Sequence, residues 1–237
     1  VSKMNSAAQR LGMTRTTYTD ASGIASSTVS TAGDQLKLAA AVMTDPVFAR
    51  TVAMTSVNLP VAGTMTNFNH AVGTGGYVGI KTGSDSSAGG CVVFANRQTV
   101  GGRTFTILGA VLGQDPGQPS TSVLTAAALS AADAIVGSVD ASIEQVTSRP
   151  AGTTVAYVGN RQGRRSAVVT AAPVTEIGWG GLDVPVEVSL NRLGRSIREG
   201  ATVARVSVPS GSPASTGATA VSAVPVVSFT WRVGNVF

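Results

Sequence analysis

Lys81, Thr82, Gly83 and Ser84 stand in a row inside the stretch GGYVGIKTGSDSSAGGCVVFA, Gly75 to Ala95, of a 237-residue chain. An ammonium, a hydroxyl and a bare glycine on an exposed strand edge can bind an anion. Lys81 brings charge, Thr82 a neutral donor, and Gly83 room for another backbone to approach. The neighbouring residues supply the strand. Tyr77, Val78 and Ile80 read as its end, Ser84 to Ser87 as a polar turn, and Cys91 to Ala95 as a buried strand returning antiparallel.

The elements that must hold this edge can be followed along the chain. Met4, Ala8 and Leu11 repeat at helical spacing, with Gly12 placed as a left-handed cap. Thr14 to Thr28 reads as an irregular surface segment. Thr31 and Asp34 predict a capping box, opening a helix whose buried face holds Leu36, Ala39, Ala40 and Met43. Asp45-Pro46 ends that helix and starts a short one through Arg50 and Ala53; Pro60 to Thr66 then reads as a loop. Gly101-Gly102 predicts a hairpin turn, and Thr104 to Leu112, apolar on both faces, a third and central strand. Pro119 and Ser120 open a helix with Leu124, Ala128, Ala131 and Ile135 on one face.

From Val139 onward short alternating runs take over. Examples are Val184, Val186, Val188 and Leu190, then Val227, Phe229, Trp231 and Val233, with breaker clusters such as Pro209 to Gly217 between runs. The expected class is α+β: residues 1–138 form an antiparallel sheet flanked by helices, and residues 139–237 a small all-β sandwich.

The pattern MNxxAxxLGMxxTxY from Met4 to Tyr18 is followed by Ser22-Gly23, STAxD at Ser30 to Asp34, Thr66-Asn67-Phe68-Asn69, GIKTG at Gly79 to Gly83, Ala88-Gly89, and VLG at Val111 to Gly113. This ordered set resembles the serine DD-peptidases of the penicillin-binding family, and the chain is identified as a member of the D-alanyl-D-alanine carboxypeptidases. The resemblance implies the C-terminal portion of a DD-peptidase/β-lactamase-like domain with a divergent β-rich tail. It also implies a peptidoglycan stem peptide ending in D-Ala-D-Ala as substrate, β-lactams as inhibitors of the intact parent, no cofactor or metal, and a place in the cell envelope outside the cytoplasm. In that family a serine attacks the carbonyl between two terminal D-alanines, and water hydrolyses the acyl-enzyme. Carried over, Lys81 would supply positive potential and a proton path, Thr82 would bind the terminal carboxylate, and Gly83 would let the peptide lie along the strand. The backbone N–H of Ser84 would be one of two oxyanion donors, a contact worth roughly 3 kcal/mol of barrier.

The family's other two motifs, a Ser-x-x-Lys and a facing Ser-x-Asn, have no counterpart. Lysine occurs only at Lys3, Lys37 and Lys81, and Asp34 and Val78 stand three residues before the latter two. Ser56-Val57-Asn58 falls between the STAxD helix and the KTG strand, whereas the family's motif precedes the MNxxA helix, so it reads as coincidence. The match therefore starts in the middle of the fold, and Val1 suggests processing or truncation. The expectation is that this polypeptide alone neither hydrolyses DD-peptides nor is acylated by penicillin, and that it exposes apolar surface which the absent segment would cover. Two departures stand inside the matched region. No Lys or Arg occurs from Thr104 through Ser148, where family members carry a basic residue near the substrate carboxylate, and Asp85 replaces a common threonine.

Composition narrows the alternatives. Aromatics are 5% and charged residues 12%, so the core must be built from Ala, Val, Ile and Leu. The +5 charge is spread along the chain without a basic block and interleaved aromatics, which argues against a nucleic-acid binder. The single Cys91 excludes an internal disulfide and reads as an inert core thiol. The single His70 excludes a multi-histidine metal site and reads as structural. Trp179 and Trp231 read as core or turn anchors. No apolar run reads as a membrane span, and no signal peptide is present. A serine β-lactamase of the same superfamily is a second reading, opposed by the MNxxA and STAxD motifs and the β-rich tail. A non-catalytic envelope-binding or scaffolding protein that keeps half the fold is a third.

Overall fold

Local punctuation sets the first three helices. Helix α1 (Ser2–Arg10) closes at Leu11, and Gly12 takes the left-handed φ of +68° that its position predicted. Asn5 on α1 then clamps the irregular segment: its Nδ2 donates to the Tyr18 carbonyl at 2.8 Å, and its Oδ1 accepts from the Tyr18 N–H at 2.9 Å. Helix α2 (Ala32–Val42) starts at Thr31, whose hydroxyl oxygen accepts from the Asp34 N–H at 3.2 Å. Helix α3 (Pro46–Val52) starts at Asp45, which accepts from the N–H groups of Val47 and Phe48 at 2.7 and 3.2 Å. These coordinates are a computed structural model that describes all residues except 116, 118, 119, 161, 162, 194, 195, 210–213 and 226–237. Pro119, part of the Pro209–Gly217 cluster, and the alternation through Val227, Phe229, Trp231 and Val233 lie outside the described residues. The chain divides into two compact units, Val1–Ala141 and Ser142–Phe237.

Only half of the Thr31–Asp34 capping box forms. The buried Asp34 carboxylate turns away from the helix start and accepts from the Arg15 N–H at 2.8 Å, the Thr16 hydroxyl at 2.9 Å and the Lys37 ammonium at 2.9 Å. The Lys37 bond, helped by the other two, holds the Asp34 carboxyl below the usual carboxylate range against the opposing effect of desolvation. Because the folded value lies below the unfolded one, the contribution of Asp34 to stability is complete above about pH 4. It is lost as pH falls through the depressed folded value. Denaturant titrations of Asp34→Asn between neutral pH and pH 3 should show a shallower acid loss of stability than the parent chain; parallel curves would refute this role.

Residues 60–66, expected as a loop, contribute to a hairpin. Strands β1 (Ser56–Leu59) and β2 (Gly63–Thr66) pair antiparallel, and every residue in them is exposed. In Leu36, Ala39, Ala40 and Met43 the expected burial is met fully by Ala39, while Ala40 is exposed.

Strands β3 (Tyr77–Asp85), β4 (Gly89–Val100) and β5 (Arg103–Gln114) form an antiparallel sheet in the order β3-β4-β5. Among the described residues β4 is thus central, correcting the central place expected for Thr104 to Leu112. Helix α2 packs against β5, and α4 (Thr121–Ser142) shares an apolar cluster with Val111 of β5 and with Val92 and Phe94 of β4. Burial is deepest in β4, where Val92, Phe94, Ala95 and Asn96 are at most 1% exposed. Helix α4 buries Leu124, Ala128, Ala132 and Val136, a strict four-residue stripe; Ile135, expected on that face, is 40% exposed. By length and composition alone α4 is apolar enough to cross a membrane, contrary to the reading that no run approached one. Its Ala128, Ala132 and Val136 share one apolar cluster with Val92, Phe94 and Val111.

The second unit is all β. Strands β6 (Ile143–Arg149), β7 (Thr154–Gly159), β8 (Arg165–Thr170), β9 (Val174–Trp179), β10 (Glu187–Leu190), β11 (Thr202–Ser207) and β12 (Ser215–Ala220) follow α4. β6 and β9 make a two-stranded ribbon, and the others an antiparallel sheet ordered β10-β11-β12-β8-β7. Val174 of the ribbon shares one apolar cluster with Val158, Val168, Val203 and Val206 of the sheet, which makes two packed layers. The whole is an α+β chain built on antiparallel sheets. Val184 is buried as its pattern implied, but Val188 and Leu190 on the edge strand β10 are exposed. Trp179 at the end of β9 is 55% exposed and is not a core anchor.

Candidate functional site

The residues Lys81 to Ser84 occupy the second half of β3, and pleating divides them between two faces. Thr82 lies opposite Val92, which lies opposite Val111, so it shares the face covered by α4; Ser84, opposite Gly90, shares that face. Lys81 and Gly83, opposite Val93 and Cys91, take the other face. Lys81 and Gly83 are exposed, Ser84 is half-buried, and Thr82 is 9% exposed. The structure does not converge all four side chains on one face. It brings them together along an edge. Among the described residues β3 pairs with β4 only, which leaves its other edge without a strand partner; α3 packs against the strand at Gly79, and the Lys81 ammonium bends along the strand to donate to the Thr82 carbonyl. A Cβ at Gly83 would meet nothing within 4 Å.

Several side chains fix this strand. The Tyr77 hydroxyl donates to Asp133 Oδ1 on α4 at 2.8 Å, and the ring meets Phe94 edge-on at 5.9 Å. Burial first, and then the Asp133 carboxylate, push the Tyr77 phenol well above its ordinary range. Asn69, 2% exposed, donates to the Gly79 carbonyl at 3.4 Å and accepts from the Ala71 N–H at 3.2 Å. Asn67 accepts from the Asn69 N–H at 2.9 Å and donates to the Met54 carbonyl at 2.9 Å. The Thr66-Asn67-Phe68-Asn69 motif is therefore a backbone brace leading into β3, and His70 beside it is exposed.

Beyond Ser84 the strand turns at Asp85. Its carboxylate accepts from the N–H groups of Ser87 and Ala88, both at 2.7 Å, and these bonds hold it below the usual carboxylate range. Asp85 is a turn lock, the Asx chemistry that its position between strands favours. After the turn, Gly90 is covered by α4 so closely that a Cβ there would sit 1.8 Å from the Leu124 carbonyl oxygen. The next residue, Thr125, donates its hydroxyl to Ser84 Oγ at 3.2 Å. Neither Gly90 nor Thr125 stood out in the sequence, although the Gly89-Gly90 pair carried a signal of close backbone approach. Cys91 is half-buried, not sealed in the core as expected, with its Sγ 3.5 Å from the Ala88 carbonyl. Ser56-Val57-Asn58 lies on the exposed β1, in a sheet separate from β3.

Residues 1–114 match the family D-alanyl-D-alanine carboxypeptidase. Among solved structures, penicillin binding protein 5 from Haemophilus influenzae is similar over 94% of this chain and 65% of its own, with a TM-score of 0.53 and 16% identity. A peptidoglycan synthesis regulatory factor (PBP3) from Streptococcus pneumoniae is similar over 94% of this chain and 68% of its own, with a TM-score of 0.53 and 14% identity. At these identities the likeness shows the fold, and the chain spans about two thirds of each structure. No curated protein sequence matches the chain significantly.

Proposed function

Since residues 1–114 belong to the D-alanyl-D-alanine carboxypeptidase family, as the motifs from Met4 to Gly113 implied, we propose that the chain is the substrate-binding part of a serine DD-carboxypeptidase. It would trim the terminal D-alanine from peptidoglycan stem peptides outside the cytoplasm, and bind β-lactams in the same cleft. The nucleophile and its base would come from a segment beyond these 237 residues, because no Ser-x-x-Lys occurs in them. The observation that carries the proposal is the open edge of β3, with Lys81, Thr82 and Gly83 on it.

An extended peptide can add to such an edge by main-chain hydrogen bonds, and the bare Gly83 leaves space for its backbone. At the end of the peptide the Thr82 hydroxyl would donate to the carboxylate. The Lys81 ammonium would lower the energy of negative charge near the scissile carbonyl and pass a proton toward the leaving amine. The Ser84 N–H would donate to the oxyanion of the tetrahedral intermediate.

Incubation with a fluorescent penicillin should leave this 237-residue chain unlabelled, while the complete protein carrying the upstream coding sequence should be acylated. In that protein Lys81→Ala should slow acylation by about 10²–10⁴-fold, the range for a positioned proton-transfer group. A covalent adduct on the chain alone, or acylation of the complete protein at an unchanged rate after Lys81→Ala, would sink the proposal.

A further inference from the structure

We propose that Thr125 is a positioning residue for the substrate's terminal carboxylate, acting through the Ser84 hydroxyl; this rests on the function proposed above. Serine has one hydroxyl proton and two lone pairs. Thr125 donates to Ser84 Oγ, so one lone pair is occupied and the Ser84 proton is left to point elsewhere. On the same face of β3, two residues away, stands Thr82, whose hydroxyl makes no hydrogen bond among the described residues. Two strand residues rise about 6.6 Å, and a carboxylate that accepts one bond of about 2.7 Å from each hydroxyl spans that gap.

On the α4-covered face no cation stands beside this pair; Lys81 lies on the other face of β3. No Lys or Arg occurs from Thr104 through Ser148, so α4 brings no cation, and the one Arg of β5, Arg103, stands opposite Val100 at the end of the strand away from Ser84. Two oriented hydroxyls take the place of a charge. Thr125 reaches Ser84 because Gly90, the cross-strand partner of Ser84, has no side chain to hold α4 away from the sheet. The specificity device is thus a three-part contact: Gly90 seats α4, α4 presents Thr125, and Thr125 turns the Ser84 proton outward.

The test uses the complete protein and a pair of peptides, one ending in D-Ala-D-Ala as the free acid and the other as its C-terminal amide. Thr125→Val should raise KM for the free acid about three- to tenfold, the loss of one neutral hydrogen bond, with kcat within about twofold. Kinetics on the amide should not change, and Thr125→Ser should restore the free acid. Ser84→Ala should match Thr125→Val, and the double variant should be no worse than Ser84→Ala alone. Equal effects on both peptides, additive effects in the double variant, or no effect on the free acid would overturn the inference. Thr82→Val separates the two levels. If it impairs the free acid while Thr125→Val does not, only the inference fails; if neither Thr82→Val nor Lys81→Ala impairs hydrolysis, or the complete protein hydrolyses neither peptide, the functional proposal fails with it.

Discussion

Gly90→Ala should lower the stability of the first unit by about 1–3 kcal/mol, the usual cost of forcing atoms into a packed interior. The new methyl carbon would sit 1.8 Å from the Leu124 carbonyl oxygen and 2.5 Å from its carbonyl carbon, both backbone atoms that no rotamer change can move. Helix α4 must therefore shift as a body. Its Ala128, Ala132 and Val136 would then slide over Val92, Phe94 and Val111. Gly33→Ala gives the contrast. It lies in the first turns of α2 with nothing within 4 Å of its Cβ, so it should stabilise by about 0.4–1 kcal/mol through the unfolded chain. Both tryptophans, Trp179 and Trp231, lie in the second unit, so the measurement should be amide exchange of β4 and α4 and not tryptophan fluorescence. Unchanged protection in Gly90→Ala would refute the seat that Gly90 provides.

Phe94→Ala should cost still more, about 3–5 kcal/mol. The ring is fully buried, packs edge-on against Tyr77, and lies across the backbone of Gly109. A Cβ on Gly109 would be 2.0 Å from the ring, so β5 is bare at that point because Phe94 fills the space. Removing the ring leaves a void lined by a glycine backbone, which has no side chain to collapse into it. A domain holds only about 5–15 kcal/mol in total, so the variant should unfold the first unit at low denaturant or fail to fold at all. Phe94→Leu, which keeps most of the volume, should lose less; equal losses in the two would show that the void does not set the cost.

Short-range grammar was legible where one side chain settles one backbone choice. Gly12, Asp45-Pro46, Gly101-Gly102 and Thr31 each fix a terminus or a turn within a few residues. The β1–β2 hairpin escaped because both its faces are wet, so no burial alternation marked it. In α4 the stripe was misread at Ile135, while Ala131 does pack against the core, since an alanine-rich helix offers small apolar residues on several faces and periodicity cannot choose among them. The place of β5 was misread because apolar faces report what covers a strand above and below, and say nothing of which strands pair with its edges. Of the candidate site, Lys81, Thr82 and Gly83 stood out in the sequence because they are contiguous. Thr125 lies 41 residues from Ser84, and nothing local ties the two together. The roles of Asn5 and Asn69 became physical only as clamps on Tyr18 and Gly79, since a motif letter does not say which carbonyl it holds.

The free side of β3 that would receive a peptide is equally a template for a second copy of the same strand. A cation projecting beside it makes stacking of like copies repulsive while leaving a negatively charged chain end welcome. If the proposed function holds, the exposed Lys81 charge would oppose self-pairing at the same edge that receives the substrate, so Lys81→Ala should be checked for association as well as for activity.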